Sequence, residues 1–426
     1  MDALQEQPLV YKGKRLGNPL RTSLKILLGL LLLTFILGLS FNYWFPLLWS
    51  FSDSIPHTNA VALGDLDRDM DLDAFYTNGK PEAPQANRVL INQGGLQGGH
   101  PARFKDSGQQ LGEDLGRQVF LADLDGDRDL DALVSGVPRI NEYINSGYGY
   151  FEAKMGWSTG ITGIWALALG DLDGDSDIDI LAAGCCGPFD PYQTTWINQG
   201  DIQAGEPGNF QETGPEMPEL GTEAVALGDL DGDGDLDAFL GNNFITDASG
   251  ELITGQPNQV AWNDGAGIFT DSGQRLGKAM TKAVALGDLD GDGDLDAYSG
   301  NYGPDEIWFN IVGGQGHQPG QFIDSGQRLG DGYTRQVFLA DLNADGWLDV
   351  AAEMEGGSPL GSASLEIRLN DGRGDFTTLS QKLSHFRAQA FNLGDLDGDG
   401  DVDVFAGWYE HGYTIWWNDG HGTFSH

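Results

Sequence analysis

The chain has 426 residues, with 64 acidic side chains against 23 basic ones and a formal charge of −41. Such a polyanion argues against nucleic acid as a partner. Its 64 glycines fit a turn-rich all-β chain rather than collagen, and two adjacent cysteines cannot form a disulfide framework.

Residues 1–22 are polar, hold Lys12, Lys14, Arg15 and Arg21, and read as a disordered cytoplasmic tail. Residues 23–50 read as a transmembrane signal-anchor. Within them Ile26 to Phe41 is apolar apart from Thr34 and Ser40, and the aromatic-rich stretch Tyr43 to Trp49 extends the run. A helix over 26–49 is roughly 36 Å long, enough for a hydrocarbon core of ~30 Å. With Lys25, five cations precede it and the next is Arg68. The positive-inside rule then keeps the N-terminus in the cytoplasm and exports the rest. The alternative is a cleaved signal peptide, with Gly38-Leu39-Ser40 at cleavage spacing, and a secreted product.

Residues 51–426 are organised around Gly228-Asp229-Leu230-Asp231-Gly232-Asp233-Gly234-Asp235-Leu236-Asp237. The same stretch starts again at Asp65, Asp123, Asp171, Asp288, Asp341 and Asp395, at intervals of 58, 48, 58, 59, 53 and 54 residues. A period near fifty signals stacked supersecondary units. Carboxylates alternating in one tight loop repel unless a hard cation with six to eight oxygen ligands sits among them. Positions 1, 3, 5 and 9 supply the expected ligands. They are Asp65, Asp67, Asp69 and Asp73; Asp123, Asp125, Asp127 and Asp131; Asp171, Asp173, Asp175 and Asp179; Asp229, Asp231, Asp233 and Asp237; Asp288, Asp290, Asp292 and Asp296; Asp341, Asn343, Asp345 and Asp349; and Asp395, Asp397, Asp399 and Asp403. Position 7 offers its carbonyl, which leaves its side chain free. These loops account for 33 of the 64 acidic residues, so the acidity is mostly metal-site chemistry. Up to seven structural Ca²⁺ ions are expected. Mg²⁺ fits less well because it prefers octahedral geometry with retained waters. Position 12 is Tyr76, Val134, Ala182, Leu240, Ser299, Ala352 or Ala406, never the Glu of an EF-hand, so the shell closes at position 9.

Each repeat reads as four short strands. The first is the apolar lead-in, such as Ala224-Val225-Ala226-Leu227-Gly228, and the second leaves the loop as Leu236-Asp237-Ala238-Phe239-Leu240-Gly241. The third is Gln259 to Asn263, followed by the hairpin turn Asn263-Asp264-Gly265-Ala266-Gly267 and a fourth strand from Ile268. A coda follows, Asp271-Ser272-Gly273-Gln274-Arg275-Leu276-Gly277, which returns at Asp106 and Asp324. Seven such units predict an all-β fold, a seven-bladed β-propeller of four-stranded blades preceded by one N-terminal transmembrane helix. The open alternative is an array of small calcium modules, but those repeat every nine residues. On this phasing no strand is exchanged between the chain ends, and side-chain packing between blades one and seven closes the ring.

The loop, its flanking strands and the Asn-Asp-Gly hairpin resemble the FG-GAP/VCBS repeat family, to which the calcium-binding blades of the integrin α-subunit propeller belong. The resemblance covers about residues 54–426. Integrin α chains carry such loops in only some blades, and their anchor follows the propeller. Here all seven blades carry one, the anchor comes first and no leg domains follow, so integrin-type ligand recognition is not carried over.

The loops differ among themselves. Position 6 is Gly234, Gly293, Gly346 and Gly400 in the last four but Met70, Arg128 and Ser176 in the first three. If that position is left-handed, a side chain costs roughly 1–2 kcal/mol. Loops one to three are therefore expected to bind more weakly than four, five and seven, and Asn343 costs loop six a charge.

In a four-stranded meander the metal loops and Asn-Asp-Gly turns share one face, and the long connections Gly136–Asn141, Gly184–Tyr192 and Asn242–Pro257 share the other. Function on a rigid scaffold sits on such loops, so an extracellular protein or glycan ligand is expected there. Cys185 and Cys186 open one of them, either as two small buried thiols or as a vicinal disulfide. Trp157, Trp165, Trp408 and Tyr409 are candidates for stacking on sugars, whereas Trp196, Trp262, Trp308 and Trp416 read as core between blades. No HExxH, GxSxG, P-loop or CxxC motif occurs. The leading reading is thus a membrane-anchored, exported binding or adhesion module rather than an enzyme. A polysaccharide-acting enzyme using the central channel, or a structural component of an envelope assembly, are the alternatives.

Overall fold

Alternating small and large residues before each aspartate loop make strands because successive side chains point to opposite faces of a sheet. The computed structural model describes residues 58–80, 83–94, 100–112, 115–137, 140–154, 164–184, 193–200, 208–213, 221–246, 252–311, 320–355, 363–384, 388–408 and 412–426. The expected tail and anchor, 1–22 and 23–50, lie outside them. Among the described residues no helix is long and apolar enough to cross a membrane.

Pro56–His426 form one compact unit. It is a seven-bladed propeller whose blades are four-stranded antiparallel sheets, each built from strands in sequence order. Blade one is Thr58–Gly64, Asp73–Lys80, Arg88–Asn92 and Phe104–Asp106, and blade seven is Ala388–Gly394, Asp403–Trp408, Gly412–Asn418 and Phe424–Ser425. The first strands of the blades between are Leu115–Ala122, Ile164–Gly170, Thr222–Gly228, Met280–Gly287 and Thr334–Ala340. Two additions decorate this plan. Ala83–Pro84 pairs with the second strand of blade one, and a hairpin of Phe244–Thr246 and Leu252–Thr254 grows from the second-to-third connection of blade four.

The core lies between blades. Seven apolar clusters each join two neighbours, as where Phe75 and Val89 of blade one meet Val134, Tyr143 and Phe151 of blade two. Trp196, Trp308 and Trp416 are buried in these clusters and Trp262 packs against one, as expected of third-strand tryptophans. The residue preceding each loop sets the spacing. A Cβ on Gly64, Gly170, Gly228, Gly287 or Gly394 would lie 2.5–2.8 Å from a leucine methyl of the next blade: Leu130, Leu236, Leu295, Leu348 or Leu72. Blades two and six carry Ala122 and Ala340 instead. The residues at the corresponding place in the next blade are there Ile178, a leucine isomer branched at Cβ, and Val402, one methylene smaller, packed into the same clusters. The Ala340–Val402 pair thus keeps the summed volume of a glycine–leucine pair, as close-packed interiors favour, while at Ala122–Ile178 the Cβ branch changes the shape facing the added methyl.

Hydrogen bonds staple the blades together. The asparagine ending the third strand donates its Nδ2 to a loop carbonyl of the preceding blade at six interfaces. The pairs are Asn145–Leu66, Asn198–Leu124, Asn263–Leu172, Asn310–Leu230, Asn370–Leu289 and Asn418–Leu342, at 2.8–3.0 Å. The coda glutamine adds a second staple. Gln274 donates to Gly320 O at 2.8 Å and accepts from Phe322 N at 2.9 Å in the next blade, and Gln109 and Gln327 do likewise. The closing interface differs: Asn92 Nδ2 donates to Leu72 O of its own blade, as Asn145, Asn198, Asn370 and Asn418 do to theirs, but among the described residues it does not also reach the preceding blade. Blades seven and one are joined by the aromatic set Tyr76, Phe104, Phe405 and Tyr413, with ring centroids 5.0–5.9 Å apart. Phe104 N also donates to Tyr413 Oη at 3.2 Å, and Asn392 Nδ2 to Val61 O at 3.0 Å. No strand is exchanged between the described chain ends, and the ring closes through side chains, as expected.

Candidate functional site

Each loop spans positions 1 to 8 of a hairpin clamped at its base, where the residue before position 1 pairs with position 9 in all seven blades. The leucine at position 2 is fully buried in the interblade core, from Leu66 to Leu396, and pins the loop down. Its trace in the sequence is the Asp-Leu pair that opens all seven loops.

Position 1 caps the turn with both oxygens. Asp229 Oδ1 accepts from Gly232 N at 2.7 Å and Oδ2 from Gly234 N at 3.2 Å, and the bond from the position 6 amide recurs in every loop. Position 9 is buried at the base and ties three segments together. Asp237 Oδ2 accepts from Leu230 N at 3.1 Å and Oδ1 from Asn263 N at 2.9 Å. The same pair of bonds recurs at Asp73, Asp131, Asp179, Asp296, Asp349 and Asp403.

The carboxylates converge. One oxygen from each of Asp65, Asp67 and Asp73 lies within 4.8 Å of the others. The same holds for Asp171, Asp173 and Asp179, for Asp229, Asp231 and Asp237, for Asp123, Asp125 and Asp127, and for Asp288, Asp290 and Asp292. Among these, Asp290 Oδ1 is buried and accepts no hydrogen bond, and neither does Asp175 Oδ2 at position 5 of the third loop. Burial, opposed by the two backbone bonds and reinforced by neighbouring aspartates, lifts Asp73 to about 8 and Asp131, Asp179 and Asp296 to about 7. Asp237, Asp349 and Asp403 rise to about 6 for the same reasons. Position 3 is raised in Asp125, Asp231, Asp290 and Asp397, by burial and then by the position 5 carboxylate. An all-oxygen set of clustered, partly desolvated carboxylates fits a hard divalent cation.

Position 6 is left-handed throughout. Met70, Arg128 and Ser176 have φ of 74°, 72° and 77°, against 92–101° for the four glycines. Position 4 is left-handed too, with Arg68 at 64° and Ala344 at 57°, a strain that the sequence reading overlooked. Loop one thus carries two strained residues and loop six one. Position 7 departs from expectation, since its side chain is not free. It lies under the third-to-fourth turn, where a Cβ on Gly147 would meet Asp129 Oδ2 at 2.4 Å and one on Gly265 would meet Asp235 Oδ2 at 2.5 Å. Asp129 also pairs with Arg68 of the preceding loop.

These contacts put the loops and the third-to-fourth turns on one face. The opposite face carries the other connections, which bond to each other, as in Gly303 N to Gly332 O at 2.8 Å. Cys185, Cys186, Trp157 and Tyr409 lie outside the described residues, as does the side chain of Trp165. Trp408 is half-buried, its indole against Gly412.

A family model of FG-GAP-like repeats matches residues 248–299 and again 288–352. Among solved structures, a lectin of Agrocybe aegerita described by its specific recognition of non-reducing terminal N-acetylglucosamine is similar at 18% identity. Its TM-score is 0.49, over 86% of this chain and 92% of that one. A likeness at that level carries no inference about what this chain binds. Comparison with curated proteins gives no match.

Proposed function

We propose that this seven-bladed β-propeller, whose residues 248–352 match FG-GAP-like repeats, is a calcium-stabilised, exported binding module without catalytic activity. Residues 23–50 anchor it in the membrane. An extracellular protein or glycan meets the face opposite the aspartate loops. The observation that carries the metal part is the recurrence, in every blade, of a buried position 9 carboxylate at the base of a loop that opens on an aspartate, with a further aspartate at position 3 in all but the sixth, where Asn343 stands. Bound calcium supplies the charge that offsets their mutual repulsion. Positions 1, 3, 5 and 9 hold it, while positions 1 and 9 also bind backbone amides and so fix the loop to the third strand. Outside the cell, affinities as weak as millimolar suffice.

The binding part is supported by where the fold spends irregular chain. The loop face is occupied by near-identical turns, while the opposite face carries the connections that differ between blades, including the extra hairpin at Phe244–Thr246. The test is retention of the intact protein on a glycan array and in pull-downs from surface extracts, with and without EDTA. Calcium-dependent retention without turnover is expected. Turnover of a polysaccharide, or retention indifferent to chelator, contradicts the proposal.

A further inference from the structure

All seven first strands break register at one place, six residues before the first loop aspartate. The shifts fall at Asn59, Arg117, Trp165, Glu223, Lys282, Arg335 and Gln389. A β-bulge re-aims the side chain it carries. The residues that follow are near-copies of one another, yet the bulged residue is asparagine, arginine, tryptophan, glutamate, lysine, arginine and glutamine in turn. The fold repeats this position seven times and never fixes its identity.

Five of these residues line a cavity of about 280 Å³: Asn59, Arg117, Glu223, Lys282 and Arg335, joined by Gln118. It lies at the start of the first strands, away from the aspartate loops. Three cations therefore gather at one spot in a chain with only 23 against 64 acidic residues. They are partly held by carboxylates: Lys282 pairs with Glu223, and Arg335 Nη1 lies 3.4 Å from the buried Glu353. Burial lowers Arg117, and Lys282 sits 6.0 Å from the ring centroid of Tyr333, which pairs with the exposed Tyr302. Two acceptors in the same lining, Glu223 Oε1 and Gln118 Oε1, are buried without a hydrogen-bond partner. Such orphan acceptors are costly unless a donor reaches them.

We infer that this cavity is a recognition site for a small hydroxylated anion, a sugar acid or sugar phosphate. Its oxyanion meets Arg117, Lys282 and Arg335, and its hydroxyls donate to Glu223 and Gln118. Charge-assisted bonds to guanidinium groups favour carboxylate and phosphate alike. Hydroxyl donors separate such a ligand from a bare inorganic ion. The inference names a ligand class for the proposed binding face and rests on that reading.

Calorimetry on the full, calcium-saturated protein at constant ionic strength tests it with glucuronate, glucose 6-phosphate, glucose and inorganic phosphate. Binding of glucuronate or glucose 6-phosphate is expected, at least tenfold tighter than either glucose or phosphate, and the stronger of the two identifies the oxyanion. Arg117→Gln should weaken it at least tenfold. Gln118→Glu, nearly isosteric, should abolish it while leaving the melting point within a few degrees. Absence of binding, phosphate or glucose binding as tightly as the sugar anions, or indifference to both variants overturns the inference. Unchanged retention of Arg117→Gln on surface extracts, with no sugar-anion binding by the parent, refutes the cavity and leaves the binding face standing. Sugar-anion binding with no retention on any extract or array does the reverse.

Discussion

Gly170→Ala tests the pairwise fit between blades. The new Cβ would stand 2.6 Å from Leu236 Cδ1 and 3.4 Å from Leu227 Cδ1, about 1 Å inside normal carbon–carbon contact for the closer pair. Overpacking of this kind costs about 1–3 kcal/mol. Leu236→Val alone leaves a one-methylene void and costs about 1 kcal/mol. Together the two changes recreate the alanine–valine combination of Ala340 and Val402. The double variant should therefore be more stable than Gly170→Ala alone, with a favourable coupling of about 1–2 kcal/mol. Scanning calorimetry in saturating calcium reads this as a melting point lowered by a few degrees in the single variant and largely recovered in the double, at roughly 2 °C per kcal/mol for a large domain. A Gly170→Ala protein as stable as its parent, or a double variant whose loss is the sum of the singles, would refute the reasoning.

Three further outcomes follow from the same geometry. Calcium titration should resolve a tight class from loops four, five and seven and a weaker class from the strained loops. Gly234→Ser, at φ 101°, should cost about 1 kcal/mol and move one site between classes; an unchanged isotherm speaks against the ranking. In chelator, the position 9 carboxyls titrate between about 6 and about 8 when folded but near 3.9 when unfolded. The folded state then binds more protons across that window, so the metal-free protein should melt higher at pH 5.5 than at pH 8, losing stability as pH rises through the folded values. A melting point that rises steadily with pH would contradict this. Hydrogen exchange should show the amides of the first strand of blade one and of blade seven opening before the other first strands, because at their interface the third-strand asparagine, Asn92, bonds within its own blade instead of to the loop of the preceding one. Uniform protection round the ring would count against it.

The sequence made the architecture plain because the repeat is written seven times in register. Loop period, hairpin turn and strand-three tryptophans each have a direct structural counterpart. What stayed hidden depends on contacts between blades. The end-strand asparagine recurs in every unit, yet nothing local says that Asn263 reaches back to Leu172. Arg68 and Ala344 conceal that position 4 is left-handed, although five loops have glycine there. The position 7 aspartates look like spare ligands until the turn glycines above them are seen. The bulge ring was the least legible, since a register shift leaves no mark on an alternating strand. Its only trace is one variable residue ahead of a constant run.

The central claim is that divalent cations hold seven self-repelling loops in register. Its most direct test is the melting point of the purified protein across a calcium series, alongside equilibrium dialysis of chelator-stripped material. A ligand that binds only the folded ring must raise its melting point as concentration rises, and up to seven ions should be retained. Stripped protein that melts at the same temperature and takes up no calcium would contradict the account.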